Sequence, residues 1–295
     1  MPELPEVETV CRGLAGVLQG RRLARVVVRR KDLRIPFPKH FAEILTGRRV
    51  EKIHRRAKYM LMDLDDGQVL IVHLGMSGRM VVDKSGAAPA KHDHVILTTD
   101  DGAEIRFNDP RRFGLMTLAP REGLERHKLF RHLGPDPLTA EFSPAVLSAA
   151  LKGRKTSIKA AILDQRIVVG VGNIYACESL YRAGISPLRK AGTVAGARAR
   201  LLVPAIQAVL AEAIAAGGSS LRDHVQPSGE LGYFQHAWKV YGREGESCAC
   251  RGPGAGKGSS KKTSPKTKGA NKGKGVVRRI IQGGRSTFYC AGCQT

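Results

Sequence analysis

Met1-Pro2-Glu3-Leu4-Pro5-Glu6-Val7-Glu8-Thr9 opens the chain, and residue type alone leaves two readings of it open. In the first it is a helix start. Pro5 suits the first turn, where its missing N–H would have no partner anyway, and Glu6 stands where the helix dipole favours an acid. Val7, Val10, Leu14 and Leu18 follow at near-helical spacing, so this helix has a face to bury. In the second reading the stretch is a reactive terminus. Initiator methionine is commonly trimmed before a small residue such as proline, which leaves the Pro2 nitrogen as a secondary amine. An α-amino group with a pKa near ~8 is partly neutral at pH 7, and secondary amines condense with aldehydes to iminium ions. Glu3 and Glu6 then lie close by as general acid or base.

Beyond the first helix the chain reads as strands. Residues 23–30, 49–56 and 59–64 are short and rich in β-branched or alternating apolar residues, and Asp66-Gly67 and Asp101-Gly102 signal hairpins. Strand and turn at this spacing predict a β-sandwich over residues 1–133, with the first helix packed on its sheets. Three sites in it stand out. Lys58 lies in the basic run Arg55-Arg56-Ala57-Lys58, on a loop or strand edge. Met76 stands between glycines in His73-Leu74-Gly75-Met76-Ser77-Gly78, either as core filler or as an apolar wedge of the kind that base flippers insert. Arg111 and Phe113, in Asn108-Asp109-Pro110-Arg111-Arg112-Phe113-Gly114, would share one side of an extended segment. An arginine there offers paired donors to a base edge, and a phenylalanine can part a base step.

The middle of the chain, residues 134–237, reads as helical. Ser143-Pro144 is a cap and first-turn pair opening a helix to about Leu151, and further helices follow over 157–163 and from Asn173. Val168-Val169-Gly170-Val171-Gly172-Asn173 leads a glycine-rich turn into a helix N-terminus, where amides and dipole suit a phosphate. Lys152, Arg154 and Lys155 form a basic cluster that reads as phosphate contacts. A long helix runs from about Ala195 to Ala216. Pro204 within it, which costs on the order of 3 kcal/mol in a helix interior, implies a bend or a later start. The polar stretch 219–233 has few apolar anchors and reads as a loop.

Six cysteines occur, and Cys248, Cys250, Cys290 and Cys293 fall in the last 48 residues. That clustering in the C-terminal segment 238–295 suggests a metal site rather than a secreted disulfide framework, and four thiolates around one zinc ion would form a closed site, structural rather than catalytic. Cys290 and Cys293 have C-x-x-C spacing; Cys248 and Cys250 are one residue closer than usual. Residues 251–275 hold seven Gly, seven Lys and one Arg with no acid. Such a segment buries no core and is expected to be disordered, attracting phosphates non-specifically. It supplies eight of the net +23 charges, so the remaining chain still carries +15, which points to nucleic acid as partner. No run of about 18 apolar residues occurs and no signal peptide precedes the first helix. The expectation is a cytoplasmic, nucleoid-associated monomer with no membrane partner.

These motifs, in this order and across nearly the whole chain, resemble those of the formamidopyrimidine-DNA glycosylases, the Fpg/Nei family. The resemblance implies an α+β multidomain fold: an N-terminal β-sandwich with its helix, a helix–two-turn–helix region, and a C-terminal zinc ribbon. It implies damaged double-stranded DNA as partner, and excision of oxidised purines through a Pro2 Schiff base followed by β,δ-elimination. Glu3 would open the sugar ring, Lys58 would contact the phosphate beside the lesion and donate a proton, and Arg285 would assist the second elimination. Glu6, Lys159 and Glu178 would face the lesion, with the loop 219–233 covering the flipped base. Met76, Arg111 and Phe113 would fill the void it leaves, Arg111 facing the orphaned cytosine. His73, His92, Lys152, Arg154, Lys155 and Asn173 would hold the DNA backbone. Residues 238–243 resemble the strand leading into the ribbon. Met76 with Arg111 and Phe113 favours the purine branch of the family over the pyrimidine branch.

Overall fold

The computed structural model describes residues 2–83, 86–219, 227–248 and 275–295. Helix α1 spans Leu4–Leu18. Strand β1 (Leu23–Val28) and the one-turn α2 (Phe41–Leu45) lead into β2 (Val50–Arg56), β3 (Tyr59–Leu64), β4 (Gln68–His73) and β5 (Arg79–Asp83). Then come β6 (Asp93–Thr99), β7 (Glu104–Asn108) and β8 (Leu115–Pro120). Two antiparallel sheets result, ordered β1-β6-β7-β5 and β2-β3-β4-β8. The hairpins predicted at Asp66-Gly67 and Asp101-Gly102 are present, and both glycines turn through positive φ.

Strands β3 and β4 are nearly continuous apolar runs because both faces of their sheet are covered. On one face Met60, Met62, Leu70 and Val72 join Val7, Val10, Leu14 and Leu18 of α1 and the inner side of the other sheet. The opposite face, with Leu61, Val69 and Ile71, is roofed by Phe130. The spacing that predicted the first helix thus reports its burial: Val10, Leu14 and Leu18 are fully inaccessible.

Helices α3 (Pro144–Leu151), α4 (Ile158–Leu163), α5 (Asn173–Arg182) and α6 (Ala199–Ala215) share a second core with Leu4. Ser143 and Ser157 accept from the amides of Val146 and Ala160, as N-caps do. Helix α6 starts four residues later than 195, which moves Pro204 towards its N-terminal end. Strands β9 (Val277–Gln282) and β10 (Arg285–Cys290) form the C-terminal hairpin. Its turn is only Gly283-Gly284, both at positive φ as a two-residue turn requires, and Arg285–Thr287 already belong to the strand. Residues 238–243 form no strand, because the amides of Lys239, Val240 and Tyr241 donate to the Glu178 carboxylate instead of to a neighbouring strand. Among the described residues no helix is long and apolar enough to cross a membrane.

Candidate active site

The site assembles where the start of α1 meets the start of α5. Gly172 is the N-cap of α5 and has no side chain to satisfy that helix's first amides. Glu3 does so from across the molecule: its Oε1 accepts from Ile174 N at 3.1 Å and its Oε2 from Tyr175 N at 3.5 Å. A Cβ on Gly172 would lie 2.2 Å from the Glu3 carboxyl carbon, so only glycine allows this approach. Pro2 and Glu3 are consequently buried rather than frayed. Burial raises the Glu3 pKa above the usual carboxylate range, while Lys58 and the α5 amides oppose the rise and Glu6 adds to it. An acid so placed keeps its proton to higher pH than a solvated glutamate.

Lys58 lies in the two-residue turn between β2 and β3, next to Ala57 at φ 56°. It thus sits on a loop, as its sequence context allowed, yet it is buried, with 9% exposed. Burial pushes its ammonium below the usual lysine range, Glu3 pulls it back up, and the charge of Arg285 lowers it further. These mutual influences put Glu3, Lys58 and Arg285 in one electrostatic cluster, although Arg285 enters from the hairpin more than two hundred residues away. Arg55 steadies the turn, donating to Glu8, Asp136 and the carbonyl of Ala57.

Met76 and Phe113 stay 38% and 45% exposed, and the Arg111 guanidinium lies 5.1 Å from the Phe113 ring centroid. The two residues do associate, though not through extended alternation: Arg112 between them sits at φ 58°. Asp109, which sequence reasoning missed, laces both loops together. It accepts from Ser77 Oγ at 2.6 Å and from Gly114 N at 2.8 Å, and Arg111 N donates to the same Ser77 hydroxyl. Its burial beside two turns was invisible in a run that reads simply as polar loop.

The hairpin is fastened to the helices by residues the sequence assigned to DNA. Lys159 Nζ donates to Thr287 Oγ1 at 2.6 Å and to Ser286 O at 3.1 Å, and Asn173 Nδ2 donates to Ser286 O at 2.9 Å. Lys159 and Glu178 are 1% and 4% exposed. In this structure both are held by partners within the protein, Lys159 by the strand that carries Arg285 and Glu178 by the chain leading to the hairpin. At the hairpin's end the sulfurs of Cys248, Cys290 and Cys293 lie within 4.8 Å of one another. Zn–S bonds of about 2.3 Å in a tetrahedron separate sulfurs by about 3.8 Å, so this thiol trio could hold such an ion. Cys250, most of the 251–275 insert and residues 220–226 lie outside the described residues.

Residues 1–116 match the model of the formamidopyrimidine-DNA glycosylase N-terminal domain, and residues 133–225 that of the H2TH domain. A formamidopyrimidine-DNA glycosylase of Acidiphilium cryptum is 56% identical over the full length of both chains, and one of Ruegeria pomeroyi 55%. The chain belongs to the formamidopyrimidine-DNA glycosylase family. Among solved structures, the MutM (Fpg) protein of Thermus thermophilus superposes with a TM-score of 0.81 at 37% identity, covering 99% of this chain and 98% of that one. A mutant Fpg of Lactococcus lactis in complex with Fapy-dG containing DNA gives 0.85 at 28%, covering both chains fully.

Other sites expected from the family resemblance lie as follows. Lys152, Arg154 and Lys155 project into solvent between α3 and α4, and His92 is half-buried with its ring 6.1 Å from that of His94. Among the described residues this histidine pair belongs to no metal-binding group. His73 is more constrained. Its Nδ1 accepts from Gly75 N at 3.0 Å, which assigns its proton to Nε2. Burial, with the charges of Lys58 and Arg34, pushes its pKa down to about 4, so at neutral pH it offers a neutral N–H donor. The unfolded chain protonates this histidine near pH 6.5 and the folded protein resists until about 4. Stability is therefore lost as pH falls across that window, by up to about 3 kcal/mol. Denaturant titrations from pH 7.5 to 4 should show a shallower acid loss in His73→Asn; parallel curves would refute the assignment.

Proposed function

We propose that this protein is a bifunctional base-excision glycosylase and AP lyase that removes oxidised purines, 8-oxoguanine opposite cytosine and formamidopyrimidines, from double-stranded DNA. The observation that carries this is the burial of Pro2 beside a Glu3 carboxyl that is pinned to the α5 amides and inclined to hold its proton. The Pro2 nitrogen forms a bond to the sugar C1′ and the glycosidic electron pair leaves with the base, which takes up a proton. Glu3 donates its proton to the ring oxygen as the C1′–O4′ bond breaks, leaving an iminium ion. The iminium acidifies the C2′ proton. Its loss expels the 3′ phosphate and a second elimination expels the 5′ phosphate, Lys58 and Arg285 supplying positive charge and proton donation there. Lys152, Arg154 and Lys155 would grip the backbone, and Met76, Arg111 and Phe113 would fill the vacated stack.

Three units would share this work: 1–133 as catalytic sandwich, 134–237 as helix–two-turn–helix region, and 238–295 as a finger whose four thiolates hold one zinc ion. Zinc there would keep the finger's shape and take no part in the chemistry. A second reading deserves its test, because the Lactococcus lactis Fpg has also been solved with DNA containing an oxidised pyrimidine. Borohydride trapping on duplexes with 8-oxoguanine opposite cytosine or with thymine glycol decides between them. A faster-forming adduct on 8-oxoguanine, mapped to residue 2, is expected. Faster trapping on thymine glycol would move the assignment to pyrimidines, and lesion-dependent binding with no adduct would leave a non-catalytic reader.

A further inference from the structure

One buried residue that the scheme above leaves unused touches both acids of the amino-terminal stretch. Tyr175 is fully inaccessible. Its amide is one of the two that hold Glu3, and its hydroxyl donates to Glu6 Oε1. The same Oε1 accepts from Ser219 N at 2.8 Å, and the tyrosine hydroxyl lies 3.1 Å from Ser219 Oγ. Glu6 Oε2 in turn accepts from Glu3 N at 2.8 Å. The Glu6 carboxylate is thus consumed by three protein donors, one from each of three segments.

Ser219 belongs to the neck at which residues 218–219 and 233–234 come together. Ser219 bridges to Tyr233, Phe234 N donates to Gly218 O at 3.0 Å, and the Tyr175 ring packs 5.8 Å from that of Phe234. Gly218 takes φ +80°, and a Cβ on it would come within 3.1 Å of Glu6 Cγ. Neck and amino terminus therefore meet at one carboxylate, with Tyr175 beneath both.

The geometry points to Tyr175 as a positioning residue that couples this neck to the nucleophile: through Glu6 it fixes the Glu3 backbone, and so the direction of the Pro2 nitrogen. The inference rests on the reading of Pro2 as nucleophile. A shift at Ser219 alters the donors on Glu6 Oε1, and the rigid carboxylate passes the change to the Glu3 amide on Oε2. Buried charged hydrogen bonds of this kind are strong and sensitive to loss of one partner.

The test uses the full-length, Met1-processed protein. Tyr175→Phe removes the hydroxyl and keeps the ring against Phe234. Amide exchange of the free protein, read by NMR, should quicken about tenfold or more at Glu3 and Ser219 together, with the amides of β3 and β4 unchanged. Gly218→Ala perturbs the junction from the neck side and should quicken Glu3 as well. Single-turnover cleavage by Tyr175→Phe should fall about tenfold or more, while Kd for a duplex carrying a reduced abasic site changes less than about twofold. Exchange that rises at only one of the two amides, or a loss seen in Kd with the rate intact, overturns the coupling. If the wild-type protein neither cleaves nor traps, the catalytic reading fails, and the exchange data still decide whether neck and terminus are coupled.

Discussion

Protein in which Met1 is retained should neither trap on 8-oxoguanine DNA nor cut it, with single-turnover rates down by at least about 10³-fold. The reason is covalent. Retention turns the Pro2 nitrogen into a tertiary amide, whose lone pair is delocalised into the carbonyl and cannot attack C1′. The side chains proposed to hold DNA are spread over the molecule, so Kd for a lesion duplex should stay within about threefold. The outcome is informative because a second amine is present. Lys58 is buried and its pKa is depressed, which are the conditions that turn a lysine into a Schiff-base nucleophile. Its charge is nevertheless held partly in place by Glu3, whereas an α-amino group needs no such depression to be partly neutral at pH 7. Cleavage by the Met1-retaining protein within about tenfold of the processed form, with the adduct mapping to Lys58, would transfer the nucleophile to the β2–β3 turn. The experiment needs only mass spectrometry of the intact chain and a denaturing gel.

What the sequence made legible, and what it hid, follows from the range of the interactions. Helices α1, α3 and α4 were readable because their signals are local: a proline in the first turn, serine caps, apolar residues at helical spacing. The hairpins at Gly67 and Gly102 were readable for the same reason. Pro2, Glu3, Lys58 and Arg285 could be singled out by motif, but nothing in the motif says that Glu3 caps a helix starting 170 residues later. The internal partners of Lys159 and Glu178 were hidden most completely. The family resemblance implies that they face the lesion, and nothing in the sequence shows that they also bind within the protein. Their partners, Ser286, Thr287 and the amides of 239–241, are distant in the chain and uncharged, and therefore leave no complementary signal. The strand expected over 238–243 failed through the same contact, since Glu178 takes the amides a neighbouring strand would have needed. Asp109 and Tyr175 were passed over because a buried aspartate in a turn, or a tyrosine in a helix, becomes exceptional only when its partners are seen.

The fastening of the hairpin also sets what loss of the cysteine cluster should do. A two-stranded hairpin is marginal on its own, and the buried apolar patch beneath β9 and β10 is small: Cys177, Val240 and Val277 with the cluster's own Cys248 and Cys290, flanked by the partly buried Tyr181, Tyr241 and Phe288. Structural zinc sites are worth about 10–16 kcal/mol in small zinc-finger peptides, far more than that patch supplies. Cys290→Ser should accordingly take bound zinc from one ion per chain to none. The hairpin should then detach, carrying away Ser286 O and Thr287 Oγ1 from Lys159 and removing Arg285 from the Lys58 cluster. Cleavage should fall by at least about 10²-fold and DNA binding by about tenfold or more, while the thermal transition of the β-sandwich persists, because its core contains none of these residues. Cys250→Ser sharpens the result. If the shortened C-x-C pair supplies the fourth thiolate, this variant should lose metal and activity as Cys290→Ser does. Full metal retention would leave the trio of Cys248, Cys290 and Cys293 with a fourth ligand other than Cys250. An unchanged zinc-to-protein ratio in Cys290→Ser itself would remove the metal from the hairpin altogether, and Lys159, Asn173 and Glu178 would then be what holds it in place.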